Sequence, residues 1–116
     1  MNFRTPKVTD ISEMFEECNK LTSLDITSFD TSNVIKANNL FQHCSLLTSL
    51  DLSNFKTDNM QDISFMFQGC INLTSIDLSS FNTQNVENFN YLFDQCKSIT
   101  FLDVGNINTD KGKSMY

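Results

Sequence analysis

Four cysteines, Cys18, Cys44, Cys70 and Cys96, stand 26 residues apart. Four aspartates, Asp25, Asp51, Asp77 and Asp103, keep the same interval. Regularly spaced thiols can form disulfides, ligate zinc or sit as small buried hydrophobes. Two disulfides are one reading of four cysteines in a short chain, and strands stacked at about 4.8 Å would bring neighbouring cysteines within bridging range. Side chains held parallel and in register are nevertheless poorly aimed for the right-angle disulfide torsion. Zinc is disfavoured, because there is no C-x-x-C pair and the single histidine is His43. Each cysteine sits in an apolar pattern, so the expectation is a ladder of buried thiols.

The aspartates need partners. Carboxylates stacked about 5 Å apart repel by roughly 0.8 kcal/mol per neighbouring pair even in a water-like dielectric. One account is that each bonds a backbone amide or a hydroxyl in the next turn, from columns such as that of Ser53 or Thr22. The other is an acidic strip for a basic partner or a calcium ion. Calcium usually requires a sharper cluster, with glycine-bearing loops, than this sequence offers. Ser23, Ser49, Ser75 and Phe101 run beside the aspartates, so the candidate binding face comprises these four residues with Asp25, Asp51, Asp77 and Asp103. Phe101 interrupts the serine column. It either covers a weak carboxyl-terminal end or contacts a partner or a second subunit.

Catalytic motifs are missing. The sequence has no G-x-S-x-G elbow and no phosphate loop, dinucleotide fingerprint or H-E-x-x-H. A non-enzymatic chain without cofactor or metal is expected. His43 shares a column with Glu17, Gly69 and Gln95 and reads as a surface residue. Asn72-Leu73-Thr74 is a glycosylation sequon. It abuts an inward Leu73, so occupancy is not expected.

These residues are positioned by a repeat, and a period of 20–50 residues marks a stacked array. Leu21, Leu47, Leu73 and Ile99 share one column, and Leu24, Leu50, Ile76 and Leu102 another. Ile26, Leu52, Leu78 and Val104 form a third. Phe15, Phe41, Phe67 and Phe93 make a ring column. Phe3, Phe29, Phe55 and Phe81 make a second, which ends in Ile107.

Within one period, Val8, Ile11, Met14, Phe15 and Cys18 follow the spacing of a buried helical face. A short helix over 9–17 is predicted, with Thr9 as N-cap and Asp10 near the unpaired first-turn amides. Its equivalents fall near 61–69 and 87–95, with a poorer version around Lys36-Ala37-Asn38-Asn39. Leu21-Thr22-Ser23-Leu24-Asp25-Ile26 and its copies alternate inward and outward, as a half-buried strand does. The link from Thr27 to Asn33 is rich in Ser, Asn, Asp and Thr and reads as a turn. Asn33, Asn59 and Asn85 are placed to bond the backbone of a neighbouring coil.

The predicted fold is therefore an α/β repeat: a short right-handed, leucine-rich-repeat-like solenoid. Each 26-residue coil has one strand and one short helix, with a parallel sheet on one face. Residues 1–116 form a single domain of about four repeats, with partial coils at both ends. Pro6 stands at a turn position, and Gly105, Ile107 and Gly112 break the pattern at the far end. Neither end carries a polar cap repeat. A fragment of a longer array is expected, or a small protein whose ends touch partners or associate end to end with copies of itself.

The 116 residues carry 14 acidic and 8 basic side chains, a net charge of −6. That argues against nucleic acid, whose phosphates need a basic face, and against an anionic membrane surface. No apolar run approaches the roughly 18–20 residues that span a bilayer, so direct membrane insertion is not expected. The first residues lack the apolar core of a signal peptide.

The strings LTSLDLSNFKTDNM and LTSIDLSSFNTQNV, each followed after five residues by [ML]F-x-x-C, resemble the 26-residue repeat of bacterial surface proteins related to the BspA-like leucine-rich-repeat family. The resemblance spans essentially the whole chain. It implies a right-handed leucine-rich solenoid in a cell-surface or secreted protein, acting as an adhesion module toward a protein ligand such as a host extracellular-matrix or cell-surface protein. The alternatives are a cytoplasmic interaction scaffold, and a carbohydrate-binding or structural spacer module.

Overall fold

The computed structural model describes residues 8–103, with the backbone alone for 101–103. Phe3, Pro6, Val104, Gly105, Ile107 and Gly112 lie outside the described residues, as do the side chains of Phe101, Leu102 and Asp103.

The period of 26 is the stacking offset of the chain. Parallel bridges join Asp10 to Lys36, Lys36 to Asp62, and Asp62 to Asn88. The Phe15, Phe41, Phe67 and Phe93 rings stack face to face with centroids 5.8, 5.7 and 5.7 Å apart. Phe55 and Phe81 stack in a second column at 6.4 Å. Leu47 and Leu73 are fully buried in their column, and Ile26, Leu52 and Leu78 close the core. Leu24 and Leu50 are only half-buried, and Ile76 is the member of their column that is enclosed.

The predicted helix of each coil is not there, and the predicted strand forms in only two of the coils. Among the described residues there is no helix. The strands are β1 (Ser75–Asp77) and β2 (Phe101–Asp103), paired in parallel as Ser75 with Phe101, Ile76 with Leu102 and Asp77 with Asp103. The expectation of a right-handed α/β solenoid with leucine-rich-repeat architecture, and a parallel sheet running along one face, is thus overturned.

Hydrogen bonding explains the missing helix. An α-helix returns each amide to the carbonyl four residues back. Here the amides of Ile11, Glu13, Phe15 and Glu17 donate instead to Lys36, Asn38, Leu40 and Gln42 of the next coil, at 2.9, 3.0, 3.0 and 2.7 Å. The intervening amides of Met14, Glu16 and Cys18 close tight turns on Ile11, Glu13 and Phe15. The same alternation runs through 37–44 and 63–70. Sending alternate amides out of the coil requires left-handed backbone at Glu13, Glu17, Asn39, His43, Phe65, Gly69, Tyr91 and Gln95, with φ from 56° to 75°. That conformation costs a non-glycine residue roughly 1–2 kcal/mol, and the cross-coil hydrogen bonds offset it.

Elsewhere the cross-coil bonds run the other way. Ile35 and Gln61 donate to the preceding coil at Thr9 and Ile35, Glu87 donates to Gln61, and Thr74 and Thr100 donate to Thr48 and Thr74. Just past the strand positions local side chains take the amides: the Asp51 carboxylate accepts from the N–H of Ser53, and Asp77 at the end of β1 accepts from that of Ser79.

Met14, predicted on a buried face, is 46% exposed, whereas its column mates Leu40, Met66 and Leu92 are buried. Leu40 and Met66 have a column neighbour on both sides, whereas Met14, in the first described coil, has one on one side only; Leu92 also has a single described column neighbour and yet is 1% exposed.

Candidate functional site

Ser23 and Ser49 are exposed and Ser75 is half-buried within β1. Asp25, Asp51 and Asp77 are exposed beside them. The backbone of Phe101 and Asp103 continues both columns through the β1–β2 register.

Each described carboxylate finds its partners in its own coil, not in the next turn as predicted. Oδ1 of Asp25 accepts from the Thr27 amide at 3.0 Å and the Thr27 hydroxyl at 2.6 Å. Asp51 repeats this with Ser53 at 3.0 and 2.6 Å. Asp77 accepts from the Ser79 amide at 2.9 Å. Hydroxyl and amide donors together hold all three carboxyls below the ordinary carboxylate range. Repulsion from Asp25 is the weakest influence on Asp51. For Asp25 and Asp51 both bonds fall on one oxygen, which leaves the second turned to solvent as a fixed negative charge. Carboxylates held ionised in this way are poor general bases. They are suited to meeting a cation or a donor.

The D-x-[ST] spacing behind this geometry recurs at Asp10 with Ser12, Asp30 with Ser32 and Asp62 with Ser64. That spacing was visible in the sequence, and sequence reasoning missed it. A second omission is the buried column of Thr31, Thr57 and Thr83, each at most 2% exposed. The Thr57 hydroxyl donates to the Asn82 carbonyl at 2.9 Å and accepts from the Asn82 amide at 2.7 Å. Thr31 does the same with Lys56. The predicted asparagine ladder is present: Asn59 and Asn85 donate to Ser32 and Asp58, at 2.8 and 2.6 Å.

Cys44 and Cys70 are fully buried. The thiols of Cys44, Cys70 and Cys96 donate back to the carbonyls of Phe15, Phe41 and Phe67, at 3.0, 3.2 and 2.9 Å. Burial pushes their pKa values up to about 11, 12 and 11. The unfolded chain therefore releases these protons first. The thiols stabilise the fold fully below an ordinary thiol pKa near 9, and that contribution is lost as the pH rises through about 11–12. At pH 8, iodoacetamide should label Cys44 and Cys70 roughly a hundredfold more slowly than in the urea-unfolded chain. Equal labelling rates, read by mass spectrometry, would contradict the burial.

His43 lies on the surface, with Nδ1 3.9 Å from Glu17, and its ring covers Gly69. A Cβ on Gly69 would collide with His43 Cδ2. Gly69→Ala should therefore destabilise by about 1–2 kcal/mol, from left-handed strain together with displacement of the ring. His43→Ala in the same chain should recover about 0.5 kcal/mol or more of that. A double-mutant cycle showing no coupling would remove the ring from the account.

Among the described residues, no group of three or more His, Cys, Asp or Glu side chains is placed to hold a metal ion. A concavity of about 490 Å³ lies elsewhere, between Thr9, Asn33, Ile35, Asn59 and Gln61. The family model described as "Mycoplasma protein of unknown function, DUF285" matches residues 1–101. No curated protein and no solved structure matches the chain.

Proposed function

This chain belongs to the DUF285 family of Mycoplasma proteins of unknown function, and on that premise we propose that it is a non-enzymatic binding module of a bacterial surface or secreted repeat protein. It meets a protein ligand through the face carrying Ser23, Asp25, Ser49, Asp51, Ser75 and Asp77. The observation behind this reading is the column of exposed carboxylates, each anchored by same-coil hydrogen bonds. An array whose charges are already ordered loses little side-chain freedom on binding. Complementary charge on a basic partner would set orientation and association rate more than final affinity. The adhesive role and the surface location rest on the resemblance to BspA-like repeat proteins.

The test is binding to a panel of extracellular-matrix and cell-surface proteins, beside an Asp51→Lys/Asp77→Lys form shown to be folded by circular dichroism. Binding by the native chain that the folded variant loses is the expected result. Failure of the native chain to bind, or unchanged binding by the variant, would count against this face.

A further inference from the structure

We propose that the groove between Thr9, Asn33, Ile35, Asn59 and Gln61 is a binding site for a linear, uncharged oligosaccharide laid along the stacking axis. The groove is open along one side and offers about 490 Å³, within the usual size of a small-molecule site. It shares no lining residue with the carboxylate face, so the proposal does not depend on the function proposed above.

The lining selects the chemistry. In a chain with a net charge of −6, the five lining residues among those described are uncharged. Three carry amides, one a hydroxyl, and Ile35 presents hydrocarbon at 37% exposure. Amides both donate and accept, as sugar hydroxyls do, and the isoleucine offers a surface for the C–H face of a pyranose ring. Asn59 is already oriented, because its Nδ2 donates to the Ser32 carbonyl at 2.8 Å. Its Oδ1 is thereby set as an acceptor. An anionic or cationic ligand finds no counter-charge among these residues.

A peptide added as a strand is disfavoured by the backbone. Strand addition needs an unpaired edge of amides and carbonyls. The Thr9 carbonyl already accepts from Ile35 and Lys36, and the Ile35 carbonyl from Gln61 and Asp62. Recognition is left to side chains. Thr9, Ile35 and Gln61 occupy the same position in three successive coils, about 4.8 Å per step, a step comparable to one pyranose unit of an extended glycan. A periodic protein then reads a periodic polymer unit by unit, as helical repeats read RNA one base each. Glu87 takes the equivalent position in the fourth coil and ends the neutral run.

The experiment uses the full 116-residue chain, titrated in separate ¹H–¹⁵N NMR series with cellohexaose, chitohexaose and mannohexaose. Glucose, polygalacturonate and a Ser/Asn-rich peptide serve as comparisons. At least one neutral hexasaccharide should shift the Ile35 and Gln61 amides, and glucose should not. Ile35→Asp, at an exposed position and checked by its melting curve, should weaken that binding at least about tenfold. The Asp51→Lys/Asp77→Lys form should retain it. The proposal is overturned if none of the three hexasaccharides shifts these amides at millimolar concentration, if Ile35→Asp binds equally well, or if only the polyanion or the peptide binds.

Discussion

Replacing Phe67 by alanine should cost the fold about 3–5 kcal/mol. The ring is fully buried, with Phe41 5.7 Å away on one side and Phe93 5.7 Å away on the other. Removing it takes away the transfer energy of the ring and leaves a cavity that two flanking coils cannot both collapse into. Total stability in small domains is about 5–15 kcal/mol, so the loss is a large part of the whole. In a stacked array it also uncouples the coils on either side, since each coil is held mainly by its neighbours. Urea unfolding should show a large fall in midpoint. Phe15→Ala and Phe93→Ala, at half-buried positions of the same column, should each cost clearly less. Equal costs along the column would contradict this packing. Leu50→Ala, at a half-buried position, should fall at or below the low end of the roughly 2–5 kcal/mol typical of a core leucine.

Thr57→Val is the second large effect, and it tests hydrogen bonding with almost no change of shape. One hydroxyl, 1% exposed, satisfies both the amide and the carbonyl of Asn82. Valine fills the space and satisfies neither. A buried polar group without a partner costs about 1–3 kcal/mol, and the Asn82 amide should exchange its hydrogen markedly faster. Thr57→Ser keeps the hydroxyl and should protect that amide. Slow exchange at Asn82 in the valine form would mean that another acceptor serves it.

The columns were legible in the sequence because a phenylalanine or cysteine at fixed spacing must stack whatever the local backbone does. Phe15, Phe41, Phe67 and Phe93 illustrate this, and so do Cys44 and Cys70. Local conformation was not legible. Burial at Ile11, Phe15 and Cys18 has helical spacing, yet a run of tight turns whose alternate amides leave the coil produces the same spacing. The left-handed positions that separate the two carry Glu13, Glu17, Phe65, Tyr91 and Gln95, residue types with no preference for that backbone. Asn39, His43 and Gly69 gave a local signal. The candidate face was half legible. Its members stand where the period places them, but the partners of the aspartates were sought one coil away when the residue two positions on supplied them. The groove at Ile35 was not read from the sequence, although its residues fall in two columns only two positions apart, Asn33 with Asn59 and Thr9 with Ile35 and Gln61, because a column of mixed residue types does not announce a concavity.

The opposed directions of the cross-coil hydrogen bonds have an electrostatic consequence. Peptide dipoles aligned head to tail sum to partial charges at the two ends of a helix. In this stack the amides of 11–17 and their equivalents point toward the higher-numbered coil, whereas those of Ile35, Gln61, Glu87, Thr74 and Thr100 point toward the lower-numbered one. The two rows of dipoles run antiparallel along one axis and partly cancel, as alternating strand dipoles do in a sheet. A stack built this way gains less polarisation as coils are added than it would if every cross-coil amide pointed the same way, and the side chains of each coil weigh correspondingly more in its electrostatics.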